Sequence, residues 1–405
     1  MGQATGFRQV FANAEFRGLW AGALLSRGGD QLARVALAVI AYQRTGSPAL
    51  TAVVYALTLV PALLGGPLLG WLADRHPRRE LIITCDVIRT VLMGLVAIPG
   101  LPLPALCALV FASQLLESPT RAARIALLPD ILPADAYPTG VAANHLTSQL
   151  LTLIGFAGGG LIVAAAGPGV SLVINAATFA ACALITALTV RHRPAAGRDR
   201  EQSWLSATGG GFRLITISPS LRGLLGLALL AGFHVIPEAV AVPYAASLGK
   251  GAVEAGLLMA AIPVGNVLGV YVLTRFVPLE RRLGAMGPMA VAAAVPLVAS
   301  LLRPDFVVLL VLWTVSGAFS GYQVSANAEF VRLVPQDRRG QAVGLASSAL
   351  VAVQGLGVLL GGLLVEWAGP ADGLAVAGIA GVAAGIPAAL AWHRARTTQA
   401  AKPVG

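Results

Sequence analysis

The chain has 405 residues, of which 57% are hydrophobic and only 11% are charged. Soluble proteins carry about 25% charged residues, so this composition excludes a soluble protein and indicates one that lies in a lipid bilayer. The net charge of +10 is distributed in small groups between apolar runs. We therefore interpret it as a membrane-topology signal and expect no nucleic-acid partner.

Apolar runs of the length that crosses a membrane follow one another along the whole chain, which predicts an all-α polytopic membrane protein of about 12 transmembrane helices. In the first half they cover residues 18–42, 49–73, 81–100, 103–122, 139–165 and 168–190. In the second half they cover residues 219–246, 252–276, 283–302, 304–331, 341–366 and 370–393. The predicted organisation is an N-terminal six-helix bundle (1–190), a cytoplasmic linker (191–218), a C-terminal six-helix bundle (219–393) and a cytoplasmic tail (394–405).

The distribution of Lys and Arg among the loops predicts the orientation. Of the 28 basic residues, 21 lie on the side that includes the N-terminus, three lie on the opposite side and four lie within or beside spans. By the positive-inside rule, both termini and the linker are cytoplasmic. We expect a multi-pass protein of the plasma membrane with an even number of spans.

An internal repeat appears at an ungapped offset of 202 residues. Pro61 matches Pro263, and the same offset pairs Gly155, Gly159 and Gly160 with Gly357, Gly361 and Gly362. Because the matched loops lie on the same side, the halves are predicted to be parallel repeats, an architecture that places a substrate site near the midplane. Close packing explains these glycines, and in a rocking transporter they also form the hinge surface.

Several charges are present in only one half, so the shared packing does not require them. At the same offset Asp30 faces Gly232, Asp74 faces Phe276, Arg89 faces Val291 and Glu117 faces Phe319. These residues are better candidates for coupling or gating than the matched glycines.

Residues 70–79 read Gly-Trp-Leu-Ala-Asp-Arg-His-Pro-Arg-Arg, which resembles the loop signature of the major facilitator superfamily (MFS), with Pro77 where that family has Gly. The resemblance covers essentially the whole chain and implies the MFS fold. It further implies a charge-relay latch made by Gly70, Asp74, Arg75, Arg78 and Arg79, in which the acid is paired in one conformation and released in the other. The alternative is a basic topology signal with one compensating acid.

Asp86 and Arg89 follow this loop at the start of the third span, spaced i and i+3. They either extend the latch or neutralise each other.

Two further segments resemble a narrower branch of the same superfamily. Residues 121–133 and the Gly29-Asp30 pair are similar to macrolide-efflux and siderophore-exporter proteins. Residues 155–160 resemble an antiporter signature, with Phe156 where that signature has Pro. The resemblance implies efflux by antiport, and the departure at Phe156 leaves the direction open.

Three charges in the first span, Arg27, Asp30 and Arg34, are spaced i, i+3 and i+7 and share one helix face. Since each costs about 2.5 to 3.5 kcal/mol at the centre of a bilayer helix, that face is predicted to line a protein interior or a wet cavity. One interpretation is a self-neutralising ladder of ion pairs. The other is proton coupling, in which Asp30 accepts and releases the proton between the two arginines.

Polar residues in the later spans are further candidates. His234 and Glu238 flank Pro237 in the seventh span; they either assist proton coupling or line a polar outer vestibule. Candidate residues of the substrate pathway are Glu117 in the fourth span and Gln323, Asn327 and Glu329 in the tenth.

An enzyme is not expected. The sequence contains no G-x-x-x-x-G-K-[ST], G-x-S-x-G or H-E-x-x-H motif, and the three cysteines have no spacing typical of a metal site or a disulfide framework. We expect no cofactor and no metal.

The sequence therefore predicts a secondary active transporter, proton-coupled and exporting amphipathic small molecules by alternating access. Its partners are the substrate, protons and the lipid bilayer, and a monomer suffices. The alternatives are proton-coupled uptake by symport, or a non-transporting sensor or scaffold that retained the fold.

Overall fold

The computed structural model describes residues 7–69, 72–133, 136–194 and 212–400. In these residues all the regular secondary structure is helical. The high apolar content and the scarcity of polar residues between spans favour this outcome, because helices satisfy their backbone hydrogen bonds internally within a membrane.

Within the described residues, ten helices precede the linker. They are α1 (Phe7–Val10), α2 (Ala14–Thr45), α3 (Pro48–Ala56), α4 (Val60–Leu69), α5 (Leu72–Arg75), α6 (Arg78–Val96), α7 (Leu103–Leu115), α8 (Glu117–Ile131), α9 (Tyr137–Ala166) and α10 (Pro168–Thr189).

The second half continues with nine α-helices, following a short helical stretch at residues 212–217. They are α11 (Pro219–Leu229), α12 (Ala231–His234), α13 (Ile236–Ser247), α14 (Ala252–Phe276), α15 (Leu279–Val298), α16 (Phe306–Ser320), α17 (Tyr322–Leu333), α18 (Arg339–Ala368) and α19 (Pro370–Ala400). The last helix continues past the predicted end of the twelfth span at residue 393.

Among the described residues, eight helical stretches are long and apolar enough to cross a membrane. Two of these stretches, residues 147–166 and 168–189, lie in the first half. In the second half, each of the six predicted spans corresponds to one. The first four predicted spans are not among them. Charges within α2 and α6, and interruptions at 57–59 and at Leu116, explain this difference. The chain is a multi-pass membrane protein, and the count of twelve spans stays a prediction.

The chain divides into two compact units. The first contains residues 1–44 and 57–200, and the second contains residues 45–56 and 201–405. The segment Thr45–Ala56, which includes α3, therefore packs with the second unit although it precedes most of the first in sequence. In the second unit α3 packs against α18 and α13.

Each unit has its own apolar core. In the first, Phe16 and Leu19 of α2 pack with Ile82 of α6 and Leu127 of α8. In the second, Leu224 and Leu227 of α11 pack with Met286 of α15, Tyr322 of α17 and Trp392 of α19.

The repeat offset is visible in the helix bounds. Helices α9 and α18 begin at 137 and 339 and end at 166 and 368, so both bounds differ by 202 residues. Each helix ends at a glycine with positive φ, 83° at Gly167 and 85° at Gly369, a conformation that glycine adopts without strain. The parallel arrangement of two six-helix repeats remains a prediction.

Candidate functional site: a charged cavity in the first unit

A buried ion pair joins α2 to α6. Nη2 of Arg89 lies 3.2 Å from both carboxylate oxygens of Asp30. The Arg89 side chain is only 1% exposed and that of Asp30 12%, and the Arg89 guanidinium also lies over the Phe179 ring of α10, 3.9 Å from its centroid. A charge so deeply buried requires a partner of opposite charge. Asp30 and Arg89 are that partner for each other.

A second pair lies beside the first. Nη2 of Arg124 in α8 donates to Oδ2 of Asp86 in α6 at 3.0 Å, and the Asp86 side chain is fully buried. The same nitrogen lies 3.0 Å from Sγ of Cys182 in α10. Asp86 and Arg89 thus pair with residues of other helices instead of neutralising each other. Helix α6 contributes one acid and one base to a network that spans four helices.

These pairs border a cavity of about 310 Å³. Charged side chains that line it are Arg27, Asp30, Arg89, Glu117, Arg121 and Arg124. Apolar residues of α2 and α8, such as Leu24 and Ile125, form other parts of the wall, and Tyr137, Asn144 and Ser148 of α9 add polar groups. The cavity has the apolar and polar walls expected of a small-molecule site.

The other two charges of the first span do not pair with Asp30. Arg27 donates a hydrogen bond to the Ser148 hydroxyl, and Arg34 donates to the Thr58 carbonyl at 3.3 Å. The self-neutralising ladder is therefore not the arrangement observed. The reason is that Arg89, 59 residues away in sequence, approaches Asp30 from a neighbouring helix.

The residues of the predicted latch lie partly outside the described structure. Gly70 is not described, and neither is the side chain of Asp74, whose backbone belongs to α5. Arg75 is exposed at the end of α5. Arg78 donates to Oδ2 of Asp130 at 2.6 Å, and Arg79 donates to the Ala187 carbonyl at 2.6 Å.

Glu80 follows directly at the start of α6, before the predicted span. Its Oε1 lies 2.7 Å from Nδ1 of His192 and 3.2 Å from Nη1 of Arg79. Burial acts to raise the pKa of Glu80, but hydrogen bonds from His192, from its own backbone amide and from Arg79 outweigh it and lower the pKa. Basic groups from two parts of the chain thus meet one acid here.

Polar candidates in the second unit are dispersed among several helices. Buried His234 lies 3.2 Å from the Gln323 amide nitrogen, and Glu238 accepts a hydrogen bond from the Tyr55 hydroxyl at 2.8 Å. Glu329 is buried and forms a two-pronged ion pair with Arg332, at 2.6 and 2.7 Å. Asn327 is exposed.

The repeated glycines lie at close helix contacts. A Cβ at Gly155 would lie 2.5 Å from Cβ of Gln31, and one at Gly159 would lie 3.0 Å from Val35. In the second unit a Cβ at Gly357 would overlap the Gly232 carbonyl oxygen, and the same holds at Gly361 against Ile236 and at Gly362 against Ala52. Gly160 is buried.

Two arginines that line the cavity, Arg121 and Arg124, were not among the candidate residues selected from the sequence; both lie within α8. Glu117, Arg121 and Arg124 are spaced i, i+4 and i+7, which is the signal that would have placed them on one helix face. The sequence gives no such spacing signal for Phe179, Cys182 and Tyr55. Their contacts depend on which helix packs against them.

Comparison with known proteins identifies the family of the chain. The chain matches the Major Facilitator Superfamily over residues 19–302 and 239–405. The multidrug efflux pump Tap of Mycolicibacterium fortuitum is 25% identical over 370 residues, covering 86% of this chain and 88% of the relative. The enterobactin exporter EntS of Salmonella typhi is 30% identical over 211 residues, 49% of each chain.

Solved structures show the same fold. A bacterial homologue of the human lysosomal transporter Spinster, in an inward-facing and occupied conformation, matches with a TM-score of 0.75 at 16% identity and covers 95% of this chain and 96% of its own. A POT family transporter in complex with 5-aminolevulinic acid matches with a TM-score of 0.76 at 11% identity, covering 98% and 99%. The chain belongs to the Major Facilitator Superfamily and is a membrane transporter, not an enzyme.

Proposed function

We propose that this transporter exports amphipathic small molecules by proton-coupled alternating access, with both termini in the cytoplasm. Two relatives support the direction, since one is named a multidrug efflux pump and the other an enterobactin exporter. The excess of basic residues on one side of the membrane supports the orientation.

The observation that carries the proposal is the buried pair of Asp30 and Arg89 in the wall of the cavity. A carboxylate in such a place is neutralised either by a cation or by a proton. The two states differ in structure, because protonation of Asp30 removes the charge that holds Arg89. Proton uptake can thereby change the contact between α2 and α6.

The neighbouring pair provides a fixed reference for this movement. Asp86 and Arg124 join α6 to α8 at 3.0 Å, and the Asp86 side chain is fully buried. When Asp30 is neutral, Arg89 remains one turn from Asp86 on α6. The positive charge of Arg89 then acts on the cavity. We propose that this change in cavity charge biases the exchange between inward-facing and outward-facing states.

Two other groups complete the proposal. His234 and Glu238 assist proton transfer, each through a hydrogen-bonded partner in the second unit, Gln323 and Tyr55 respectively. Residues 70–79 act as the charge-relay latch that the family resemblance implies, with Arg78 held by Asp130 in this conformation.

The test uses everted membrane vesicles with an acidified interior. A panel of macrolides, siderophores, dyes and biocides is added while the pH gradient is followed. An antiporter dissipates the gradient when its substrate is present, and Asp30→Asn abolishes this response. The matched control is Asp372→Asn, which removes an acid of the same type from a solvent-exposed pair with Arg303 and leaves the response intact.

Full gradient-driven transport by Asp30→Asn would show that Asp30 is not the proton carrier. A silent panel with the protein confirmed in the membrane would favour uptake by symport or the non-transporting alternative.

A further inference from the structure

The cavity of the first unit contains more positive than negative charge. Four arginines and two acids line it. Arg89 is paired with Asp30, and Arg124 is paired with Asp86 behind the wall. Arg27, Arg121 and Glu117 remain, so the cavity has one positive charge in excess.

Arg27 and Arg121 are available to a ligand. Both are exposed, and within the part of the chain that the structure describes neither forms a salt bridge. Arg27 donates to Ser148, a neutral acceptor that does not reduce its charge. Two guanidinium groups therefore border one cavity, and neither is held in a salt bridge among the described residues.

Glu117 is already counted in this excess, because its one negative charge offsets only one of the two arginines. Arg34, one turn along α2 from Asp30, adds a further cation close to the cavity, and its guanidinium reaches a carbonyl oxygen.

The remaining walls are suited to an apolar body. Leu24 of α2, Ile125 of α8 and Val141 of α9 contribute apolar surface, while Tyr137 and Asn144 provide hydrogen-bonding groups. A ligand that fits this lining has an apolar portion and a charged end.

We infer that the cavity binds its substrate through one anionic group, a carboxylate, sulfonate or phenolate, that lies between Arg27 and Arg121. The inference rests on the proposed transport function and names the substrate class of that site. Guanidinium groups bind such anions through paired, charge-assisted hydrogen bonds. A cationic amphiphile meets an unfavourable field in the same space.

The binding of one anion also has a consequence for transport. A single negative charge neutralises the excess positive charge of the cavity, and a neutral interior is less costly to enclose within a membrane. The inside-negative membrane potential then favours outward movement of the anion, which agrees with export.

The experiment measures binding alone, with the full-length protein in lipid nanodiscs and isothermal titration calorimetry. Three naphthalene probes of the same size are compared: the carboxylate, its primary amide and the aminomethyl cation. At about pH 7 the carboxylate and the amine are both ionised. We expect the carboxylate to bind about tenfold more tightly than either of the other probes.

Three substitutions test the two arginines. Arg27→Gln and Arg121→Gln each weaken binding of the carboxylate about tenfold and leave binding of the amide unchanged, which also shows that the cavity is intact. Arg27→Lys retains the charge and most of the affinity. The matched control is Arg222→Gln, an exposed arginine of α11, which leaves all three affinities unchanged.

Equal affinity for the three probes, or carboxylate binding that neither glutamine substitution weakens, would overturn the inference. Because the binding experiment uses no proton gradient, its result does not depend on the result of the vesicle experiment. If proton coupling fails but the carboxylate binds selectively, only the proposed function is refuted. If proton coupling is observed but the three probes bind equally, only the inference is refuted.

Discussion

The Tyr55 hydroxyl donates a hydrogen bond of 2.8 Å to Oε2 of Glu238, and this contact joins α3 to α13 within the second unit. At the other end of α3, Oε2 of Glu366 accepts hydrogen bonds from the Ser47 hydroxyl at 2.8 Å and from the Ala49 amide at 3.1 Å. Two carboxylates of the second half therefore hold a helix whose sequence belongs to the first half. This explains why residues 45–56 cluster with the second unit.

Replacing Tyr55 by Phe removes this hydrogen bond and keeps the aromatic ring. Tyr55 is 1% exposed, so the carboxylate loses a buried donor and we expect a loss of stability of about 1 to 3 kcal/mol. Thermal unfolding in detergent measures the effect. Tyr271→Phe is the control, since Tyr271 is 60% exposed; an equal shift for the two variants would contradict the role assigned to the hydrogen bond.

Removing both charges of the cavity pair is expected to be less harmful than removing one. Asp30→Asn leaves Arg89 buried without a carboxylate, which costs about 3 to 5 kcal/mol. Arg89→Gln, added to the first substitution, eliminates the isolated charge. The double variant should therefore melt at a higher temperature than Asp30→Asn, while neither responds to a proton gradient.

The melting temperatures and the vesicle assay together check this prediction. A double variant less stable than Asp30→Asn would show that Arg89 is held mainly by Phe179 and other contacts instead of by Asp30.

The Glu80 cluster predicts a dependence of stability on pH. The pKa of Glu80 is lowered in the folded protein from the usual value of about 4.3. The carboxylate therefore stabilises the fold above that usual value, and this contribution is lost as the pH falls through the lower pKa of the folded state. Since Glu80 is 38% exposed, the contribution is small, about 0.2 to 1 kcal/mol.

The stabilisation by Glu80 is measured by comparing melting curves of the unmodified protein and of Glu80→Gln over this acidic range. It is the difference in stability between the two proteins. The difference should be constant near neutral pH and should shrink on acidification. His192→Gln should reduce it throughout, because His192 supplies the shortest contact. A difference that grows as the pH falls would have the wrong sign for a lowered pKa.

Two glycines of α18 should respond oppositely to the same substitution. A Cβ at Gly357 would overlap the backbone oxygen of Gly232, whereas a Cβ at Gly344 meets nothing within 4 Å. Gly357→Ala is expected to destabilise the protein by about 1 to 3 kcal/mol. Gly344→Ala is expected to stabilise the helix by about 0.5 to 1 kcal/mol.

Melting temperatures of the two variants in the same detergent check this pair. A Gly357→Ala variant that melts no lower than the unmodified protein would show that α18 can shift away from Gly232 at little cost.

The sequence predicted the later helices well and the earlier ones less well. The predicted span at 252–276 has the bounds of α14, and that at 168–190 differs from α10 by one residue at its end. In contrast, the predicted span at 49–73 is interrupted at 57–59. Long uninterrupted apolar runs are a local signal, whereas the ends of helices rich in Gly and Pro depend on neighbouring helices.

The candidate site was predicted in part. Asp30, Arg89 and Glu117 were selected because their charges are absent from the other half of the chain, and Asp86 because it is spaced i and i+3 from Arg89. Their partners were not predicted, because Arg89 and Arg124 approach from helices distant in sequence. Spacing along one helix reports which residues share its face, but not which other helix that face meets.

The sequence by itself determined that this chain is a helical membrane protein, since hydropathy depends only on composition and order. The tertiary structure decided that Asp30 pairs with Arg89, that Arg27 and Arg121 border the same cavity, and that Tyr55 contacts Glu238. These contacts depend on the rotation and packing of whole helices, which many small interactions set together.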